Sequence, residues 1–133
     1  MTRHVFECAV RFDDLDTYGH VNNVTFVEYL QEARIDFAHR YLADALEPHE
    51  GSVVAHQSVE YLRPVSFRAD PLNVVVWVTR IGTSSFDLAY EVSDGEAVYA
   101  RATGALVAYD VAGQRPRRLT EPELAALSTF LEP

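Results

Sequence analysis

The sequence predicts an α+β fold in which one long helix lies on an antiparallel sheet of about five strands. The first observation is a single segment, residues 24–46, whose apolar side chains recur at intervals of three and four, as on one face of a helix. The second is a change to the two-residue alternation of strands in four later segments. The third is a pair of short turn sequences, 82–84 and 93–96, that mark hairpins and so indicate antiparallel neighbours.

The composition predicts one globular domain spanning residues 1–133. Of the 133 residues 48% are hydrophobic, enough to bury a single continuous core. No stretch reaches the roughly 20 apolar residues of a membrane span, and the start of the chain lacks the apolar centre of a signal peptide. A cytoplasmic protein without membrane contact is therefore expected. The lone cysteine, Cys8, has no partner for an internal disulfide and is expected to be a core side chain.

The charge of the chain limits its partners. A formal charge of −9 argues against a nucleic-acid partner, because affinity for phosphate backbones comes from clustered cations. All eleven basic residues are arginines, which excludes catalysis by a lysine. Two groups, Arg63 with Arg68 and the arginines at 115–118, suit a few phosphates of a small ligand, since guanidinium groups bind phosphate oxygens in pairs. Solvated loop charge is the other interpretation of both groups.

The first half of the chain is expected to hold one strand and the long helix. Residues 3–12 alternate as a strand does. The helix over 24–46 is expected to begin at Asn22 or Asn23, because asparagine is a favourable N-cap residue. Pro48 lies just beyond the last apolar position and is expected to end it.

The second half is expected to hold four strands and a short helix. The strands are predicted at residues 53–62, 72–81, 85–92 and 97–109. The second of these is apolar on both faces and is therefore expected to lie inside the sheet. The final helix opens at Thr120, which forms a Thr-x-x-Glu capping box with Glu123. Because a sheet that wraps one helix leaves its edges open, pairing with another copy of the chain is expected.

The stretch between the first strand and the long helix concentrates small polar residues. At the start of a helix, unpaired N–H groups and the positive end of the helix dipole make a site for developing negative charge. Gly19 lets the chain turn tightly there and lets a ligand approach the backbone. Asp16, just upstream, adds a carboxylate. The Asp16 carboxylate and the N–H groups at the helix start would together form a minimal acyl-transfer site, in which a base or nucleophile lies beside an oxyanion site.

A purely structural role for the same stretch stays open, because aspartate, glycine and asparagine are also what turns and caps contain. Asp13 and Asp14 are expected to be turn or solvent groups, although either could compete with Asp16 for the catalytic role. His20 is either a substrate contact or a capping and packing group.

Several other chemistries lack their motifs. The five histidines show no metal-ligand spacing and no cysteine pair accompanies them, so no metal is expected. No G-x-S-x-G motif of a serine hydrolase occurs. G-x-G-x-x-G and P-loop motifs are absent as well, so no nucleotide cofactor is expected.

Four sequence blocks carry a resemblance to a known family. Residues 16–23 (DTYGHVNN), followed on the helix by 32–34 (EAR), resemble the signature of the hotdog-fold acyl-CoA thioesterases of the 4-hydroxybenzoyl-CoA thioesterase type. Residues 60–64 (EYLRP) and 80–85 (RIGTSS) are similar to two later blocks of that family, in the same order. Phe26 is a departure, since many relatives carry tyrosine there, and it puts the polarity of the pocket in question.

The resemblance implies a long central helix wrapped by a curved antiparallel sheet, dimers whose sheets join, and active sites at the dimer interface. Asp16 matches the family's catalytic aspartate, and Asn23 matches the position whose backbone N–H polarises the thioester carbonyl. Whether the carboxylate attacks the carbonyl or activates water differs among relatives. A thiol of pKa about 8.5 leaves as a thiolate without a protonated acid beside it, so one carboxylate and one oxyanion site suffice.

The leading hypothesis is hydrolysis of an acyl-CoA thioester, with no cofactor other than the CoA of the substrate. Tyr18, His20 and Asn22 are expected to shape the mouth of the site, and Gly19 is expected to bind substrate through its exposed backbone. Phe26 and Ser58 are expected to line the acyl pocket. Arg63, Arg68 or the arginines at 115–118, from either subunit of a homodimer or homotetramer, are expected to hold the CoA phosphates.

Other hypotheses keep the fold and change the chemistry. The acyl group could be carried by acyl carrier protein, although that acidic partner would be repelled by a chain of net charge −9. The chain could also be a non-catalytic module that binds acyl-CoA, or a hydratase, whose aspartate and histidine are usually spaced differently from Asp16 and His20. The identity of the acyl group does not follow from the sequence.

Overall fold

A computed structural model describes residues 2–133. Its elements, in chain order, are β1 (His4–Cys8), α1 (Asn23–Tyr41), β2 (Glu50–Tyr61), β3 (Leu72–Ile81), β4 (Ser85–Ser93), β5 (Val98–Asp110), β6 (Arg115–Pro116) and α2 (Glu121–Thr129). The strands pair antiparallel in the order β1-β3-β4-β5-β2, with the two-residue β6 on the end of β5. The predicted α+β arrangement of one long helix and five main strands is confirmed.

The core lies between α1 and the inner face of the sheet. In β3 every second residue is buried along most of its length, and β3 pairs with a strand on each side, as its apolar sequence predicts. The buried side chains of α1 recur at helical spacing and those of β4 at strand spacing: Phe26, Tyr29, Leu30, Ala33, Phe37; Phe86, Leu88, Tyr90, Val92. Each large apolar side chain stabilises the fold by about 1.5–3 kcal/mol. Cys8 is buried in this core, as expected, and burial raises the pKa of its thiol to about 11.

Two elements are shorter than the sequence pattern predicts. The helix ends at Tyr41 and not at residue 46, because a 3-10 turn at Ala43–Ala45 follows it. Leu42 is buried and Leu46 packs on the core across that turn, so the apolar spacing of the helix continues beyond the helix itself. The first strand ends at Cys8 and not at residue 12, because the chain enters another 3-10 turn at Phe12–Asp14.

The two edge strands of the sheet, β1 and β2, differ in length. β2 has twelve residues, most of them exposed, and Val53 and Val54 project apolar side chains along it. A long exposed edge strand of this kind is a template for pairing with another strand.

No helix in residues 2–133 is both long enough and apolar enough to cross a membrane.

Asp14 is a buried anchor, which corrects the expectation that it is a turn or solvent group. The residue is 3% exposed, and its carboxylate accepts hydrogen bonds from the Tyr29 hydroxyl at 2.6 Å and from the backbone N–H and guanidinium of Arg11 at 2.9 and 3.0 Å. Its backbone carbonyl accepts from the N–H of Asn22 at 2.9 Å. Asp14 therefore ties the chain before the helix both to the start of α1 and to the second turn of that helix.

The same contacts set the ionisation of Asp14. Burial raises the pKa of the carboxyl, but the hydrogen bonds from Tyr29 and Arg11 together outweigh burial, and the pKa lies below its usual value. The carboxylate is thus held in its charged form, with both oxygens bonded.

Asp14→Asn should lower the free energy of unfolding at neutral pH by about 1–3 kcal/mol, the cost of leaving buried polar partners poorly satisfied. Because the pKa is lower in the folded than in the unfolded protein, the stabilisation is complete above the unfolded value of about 3.9 and disappears as the pH falls through the folded value. Urea titrations from neutral pH to about pH 3 should therefore show the deficit shrinking in acid.

Asp13→Asn is the matched control, because Asp13 is an exposed carboxyl on the same 3-10 turn. It should change stability by less than about 0.5 kcal/mol. Equal stability of the two variants at neutral pH would contradict the anchoring role of Asp14.

Candidate active site

Residues 15–21 form a tight hairpin that leads into α1. Leu15 and Val21 pair as an antiparallel bridge, and within it the N–H of Asp16 donates to the carbonyl of His20 at 2.8 Å. Gly19 sits at the tip with φ +77°, a conformation that glycine adopts without strain. The Val21 N–H donates to the carbonyl of Val65 at 2.8 Å, so the hairpin is fixed against the segment that follows β2.

The carboxylate of Asp16 uses one oxygen for the hairpin. Oδ1 accepts from the N–H of Tyr18 at 2.9 Å and from the N–H of His20 at 3.3 Å. Within residues 2–133 no donor bonds to Oδ2, and the side chain is only half-buried. The arrangement orients Asp16 and leaves its second oxygen for a ligand or a water molecule.

The helix begins one residue after Asn22, which is its N-cap. The Asn22 side chain accepts from the N–H of Val24 at 2.8 Å. For the N–H groups of Asn23 and Thr25 no acceptor lies within reach anywhere in the described part of the chain. Unpaired first-turn N–H groups carry the positive end of the helix dipole and therefore attract negative charge.

Asp16 and the helix start share one cleft of about 330 Å³. The residues that line it come from the hairpin, the first turn of α1 and the end of β2: Asp16, His20, Val21, Asn23, Phe26, Tyr61, Leu62, Arg63 and Pro64. Five of the predicted site residues are thus brought together. A carboxylate and a residue with a free backbone N–H lining the same cleft are the parts that an acyl-transfer site requires.

One wall of the cleft is aromatic. Phe26 is buried, and the ring of Tyr61 meets it edge-on with centroids 5.5 Å apart. The Tyr61 hydroxyl donates to the backbone carbonyl of Asn23 at 2.8 Å. From the 60–64 block only Arg63 was predicted as a site residue. The sequence does carry one indication of where Tyr61 lies. Proline interrupts strand pairing, so Pro64 places Tyr61 near the end of β2.

Four predicted site residues lie outside the cleft. Tyr18 is 82% exposed and Gly19 is also exposed, so both stand at the hairpin tip. Asn22 is used as the helix cap. Ser58 is three residues before Tyr61 on β2, so its side chain points to the opposite face of the sheet, where it lines a separate cavity of about 280 Å³ with Trp77. Within one chain Ser58 does not line an acyl pocket with Phe26.

The predicted phosphate-binding arginines separate into different environments. Arg63 is exposed at the rim of the cleft. Arg68 pairs with Asp94 at 2.9 Å. Arg117 pairs with the buried Glu123 at 2.7 Å and also donates to backbone carbonyls. Arg117 is therefore a structural residue and does not belong with the other arginines at 115–118 as a phosphate contact.

The cleft offers few ligands for a metal. Asp16 and His20 are its only carboxylate and imidazole groups, and residues 2–133 contain no group of three or more His, Cys, Asp or Glu side chains placed to hold a metal ion. These residues do not fit a metal centre of the usual three or four protein ligands.

Comparison with known proteins identifies relatives that match most of the chain. The uncharacterized protein YsmA of Bacillus subtilis (strain 168) is 35% identical over 105 residues, which cover 77% of this chain and 69% of YsmA. A 1,4-dihydroxy-2-naphthoyl-CoA hydrolase of Nostoc punctiforme is 29% identical over 125 residues, 91% of this chain and 84% of the relative. The crystal structure of a Thermus thermophilus thioesterase complexed with coenzyme A and Zn superposes with a TM-score of 0.80 at 35% identity, covering 95% of this chain and 92% of that one.

The family assignment follows from these matches and from a sequence profile. The profile of the thioesterase-like superfamily matches residues 10–127, a range that includes the hairpin, α1, strands β2 to β6 and most of α2. The expected hotdog fold and the expected enzyme class, thioester hydrolase, are thereby confirmed. The chain belongs to the thioesterase-like superfamily.

Proposed function

We propose that this protein hydrolyses acyl-CoA thioesters to a free acid and CoA. The observation that carries the proposal is one cleft lined by both Asp16, whose Oδ2 accepts no hydrogen bond within residues 2–133, and Asn23, whose N–H is unpaired there. Two relatives support the substrate class: one is named as a naphthoyl-CoA hydrolase and the other was crystallised with coenzyme A. The sequence blocks also resemble the 4-hydroxybenzoyl-CoA thioesterase type, so aromatic acyl groups belong in any substrate panel.

In the proposed mechanism the thioester carbonyl oxygen accepts a hydrogen bond from the N–H of Asn23. As a nucleophile adds to the carbonyl carbon, negative charge develops on that oxygen, and the helix dipole of α1 stabilises it without reorganisation. The C–S bond then breaks, and CoA leaves as a thiolate that takes a proton from solvent.

Asp16 supplies the nucleophile by one of two routes that use the same oxygen, Oδ2. As a general base it takes a proton from water, the remaining hydroxide adds to the carbonyl carbon, and Asp16 then returns the proton to solvent, which regenerates the carboxylate. As a nucleophile it adds to that carbon itself and displaces the thiolate, and water then cleaves the mixed anhydride and regenerates the carboxylate. Both routes consume one water molecule and give one acid and one thiol.

The rest of the cleft suits the two ends of the substrate. Phe26, Tyr61 and Leu62 provide an apolar wall for an acyl group. Arg63, exposed at the rim, provides a guanidinium for the phosphates of CoA, which extend toward solvent. His20 also lines the cleft, and in this proposal it contacts the pantetheine arm.

The proposal includes a homodimer formed through the β2 edge. That edge is long and exposed, and Val24, Val27 and Ile35 leave exposed apolar side chains on α1. A two-fold axis near the middle of β2 would pair it antiparallel with the β2 of the second copy. The end of one β2, which borders the cleft, would then lie beside the beginning of the other, so the cleft would open at the interface.

Asp16→Asn should lower kcat by about 10²- to 10⁴-fold, the usual contribution of a base or nucleophile. The amide oxygen of asparagine still accepts from Tyr18 and His20, so the hairpin is preserved while the carboxylate chemistry is lost. The measurement is thiol release from a panel of aromatic, short-chain and branched acyl-CoAs.

Asp13→Asn is the activity control and should match wild type, because Asp13 is exposed and lies before the hairpin. Equal rates for Asp16→Asn and wild type would remove Asp16 from the mechanism. Retention of intact acyl-CoA with no thiol released by wild type would indicate a binding module. Faster turnover of acyl carrier protein substrates, compared at low and raised salt, would indicate that carrier.

Arg63→Gln should raise KM for acyl-CoA about three- to tenfold with little change in kcat, because a charge-assisted contact to a phosphate is lost. The increase should shrink as salt screens the contact. Arg115→Gln, at an exposed arginine of the 115–118 group, is the matched variant. A larger increase in KM for Arg115→Gln than for Arg63→Gln would indicate that the arginines at 115–118, and not Arg63, bind the CoA phosphates.

Val54→Lys should convert the dimer to monomer at micromolar concentration, because pairing of the β2 edge would cover this half-exposed position and desolvate the added charge. Light scattering after size exclusion measures the mass of each variant. Val5→Lys places the same substitution at an exposed valine of the opposite edge strand, β1, and should stay dimeric. Dissociation by Val5→Lys alone would move the interface to the β1 edge and contradict the proposed dimer.

A further inference from the structure

We propose that Tyr61 is a positioning residue for thioester hydrolysis, which holds the first residue of α1 so that the N–H of Asn23 stays aimed into the cleft. This inference rests on the proposed function. Tyr61 is 38 residues away from Asn23 in sequence, and its hydroxyl donates to the Asn23 carbonyl at 2.8 Å. The contact joins the end of β2 directly to the start of the helix.

The first residue of a helix needs such a contact more than the interior does. Residues in the first turn lack the N–H to carbonyl bonds that hold later residues, so they fray readily. The Asn22 N–H is bonded to Asp14 and the Val24 N–H to the Asn22 side chain. The N–H of Asn23 lies between these two and has to stay unpaired to bind an oxyanion. Its own peptide unit is held by the Asn22 carbonyl, which accepts from the Phe26 N–H at 3.2 Å, and the next peptide unit is held by the Asn23 carbonyl, which accepts from Tyr61.

The backbone just after Tyr61 and the Tyr61 ring are both held by neighbouring residues. The N–H groups of Leu62 and Arg63, just after it, both donate to the carbonyl of Tyr99, at 2.9 and 3.1 Å. Its ring packs edge-on against Phe26, which is itself buried in the core. The hydroxyl is consequently held from the strand and from the helix at once.

Because the Tyr61 side chain is half-exposed, loss of its hydroxyl should affect the position of the Asn23 amide more than the stability of the fold. The side chain is 47% exposed, whereas the core aromatic residues Phe26 and Phe37 are almost completely buried. Removing one hydroxyl from a half-exposed ring leaves the core packing unchanged. Its main consequence would be a looser Asn23 amide, and small displacements of a catalytic group reduce rates strongly.

Tyr61→Phe should lower kcat about tenfold, with KM changed by less than about twofold, since a 1 Å misplacement of catalytic geometry costs up to about 10²-fold. The ring contact with Phe26 is preserved in this variant. Two-dimensional ¹⁵N NMR should show the Asn23 amide resonance displaced from its wild-type position, a readout that does not depend on turnover.

Tyr41→Phe is the matched control, because it removes a tyrosine hydroxyl, within 3.2 Å of His4 Nδ1, at the opposite end of the same helix. It should leave kcat and the Asn23 resonance unchanged. If the Tyr61→Phe variant keeps the wild-type kcat while the separate Asp16→Asn variant is inactive in the same assay, only the role of Tyr61 is overturned. Full activity of Asp16→Asn would instead overturn the proposed function on which the inference rests.

Discussion

The anchoring of the first turn of α1 is the constraint on which the proposed chemistry depends. The turn is held from the hairpin side by the bond between the Asp14 carbonyl and the Asn22 N–H, and from within by the Asn22 cap. From the sheet side it is held by Tyr61. These bonds occupy the groups around the Asn23 N–H and leave that donor unpaired within residues 2–133. A preorganised donor of this kind stabilises developing charge because it has no reorganisation left to undergo.

Two aspartates separated by one residue have opposite environments. Asp14 is buried and bonded at both carboxylate oxygens, which lowers its pKa and leaves no oxygen for a substrate. Asp16 has one oxygen bonded to backbone donors, and its side chain lines the cleft. The Asp14 carboxylate thus holds the helix start, whereas the Asp16 carboxylate keeps one oxygen without a hydrogen bond within residues 2–133. Residue type alone cannot assign these roles, since hydrogen bonding and burial decide them.

Local sequence patterns predicted the features that depend on neighbouring residues. Helical and strand periodicity identified α1 and the strands, and the capping box at Thr120 identified the start of α2, where both its hydrogen bonds form. The hairpin and helix start were located because glycine and asparagine have specific backbone roles. Pro64 marks the end of β2 in the sequence, but no local pattern indicates which cleft the end of that strand borders, and three cleft residues there are not predicted: Tyr61, Leu62 and Pro64.

The remaining errors came from contacts between distant residues. The burial of Asp14 depends on Tyr29, fifteen residues later, and the pairing of Arg117 depends on where α2 places Glu123. Ser58 is expected in the acyl pocket, yet within one chain strand alternation places it on the face opposite Tyr61. Which face of β2 meets the helix could not be read from the sequence, because most of β2 is exposed and shows no apolar alternation.

The most direct test of the central claim is a crystal structure with an acyl-CoA analogue in which a methylene group replaces the thioester sulfur. We expect the analogue carbonyl oxygen about 2.7–3.1 Å from the Asn23 nitrogen, with Asp16 Oδ2, or a water bonded to it, facing the carbonyl carbon. An analogue bound on the outer face beside Ser58, or one whose carbonyl oxygen lies away from the helix start, would contradict the proposed chemistry.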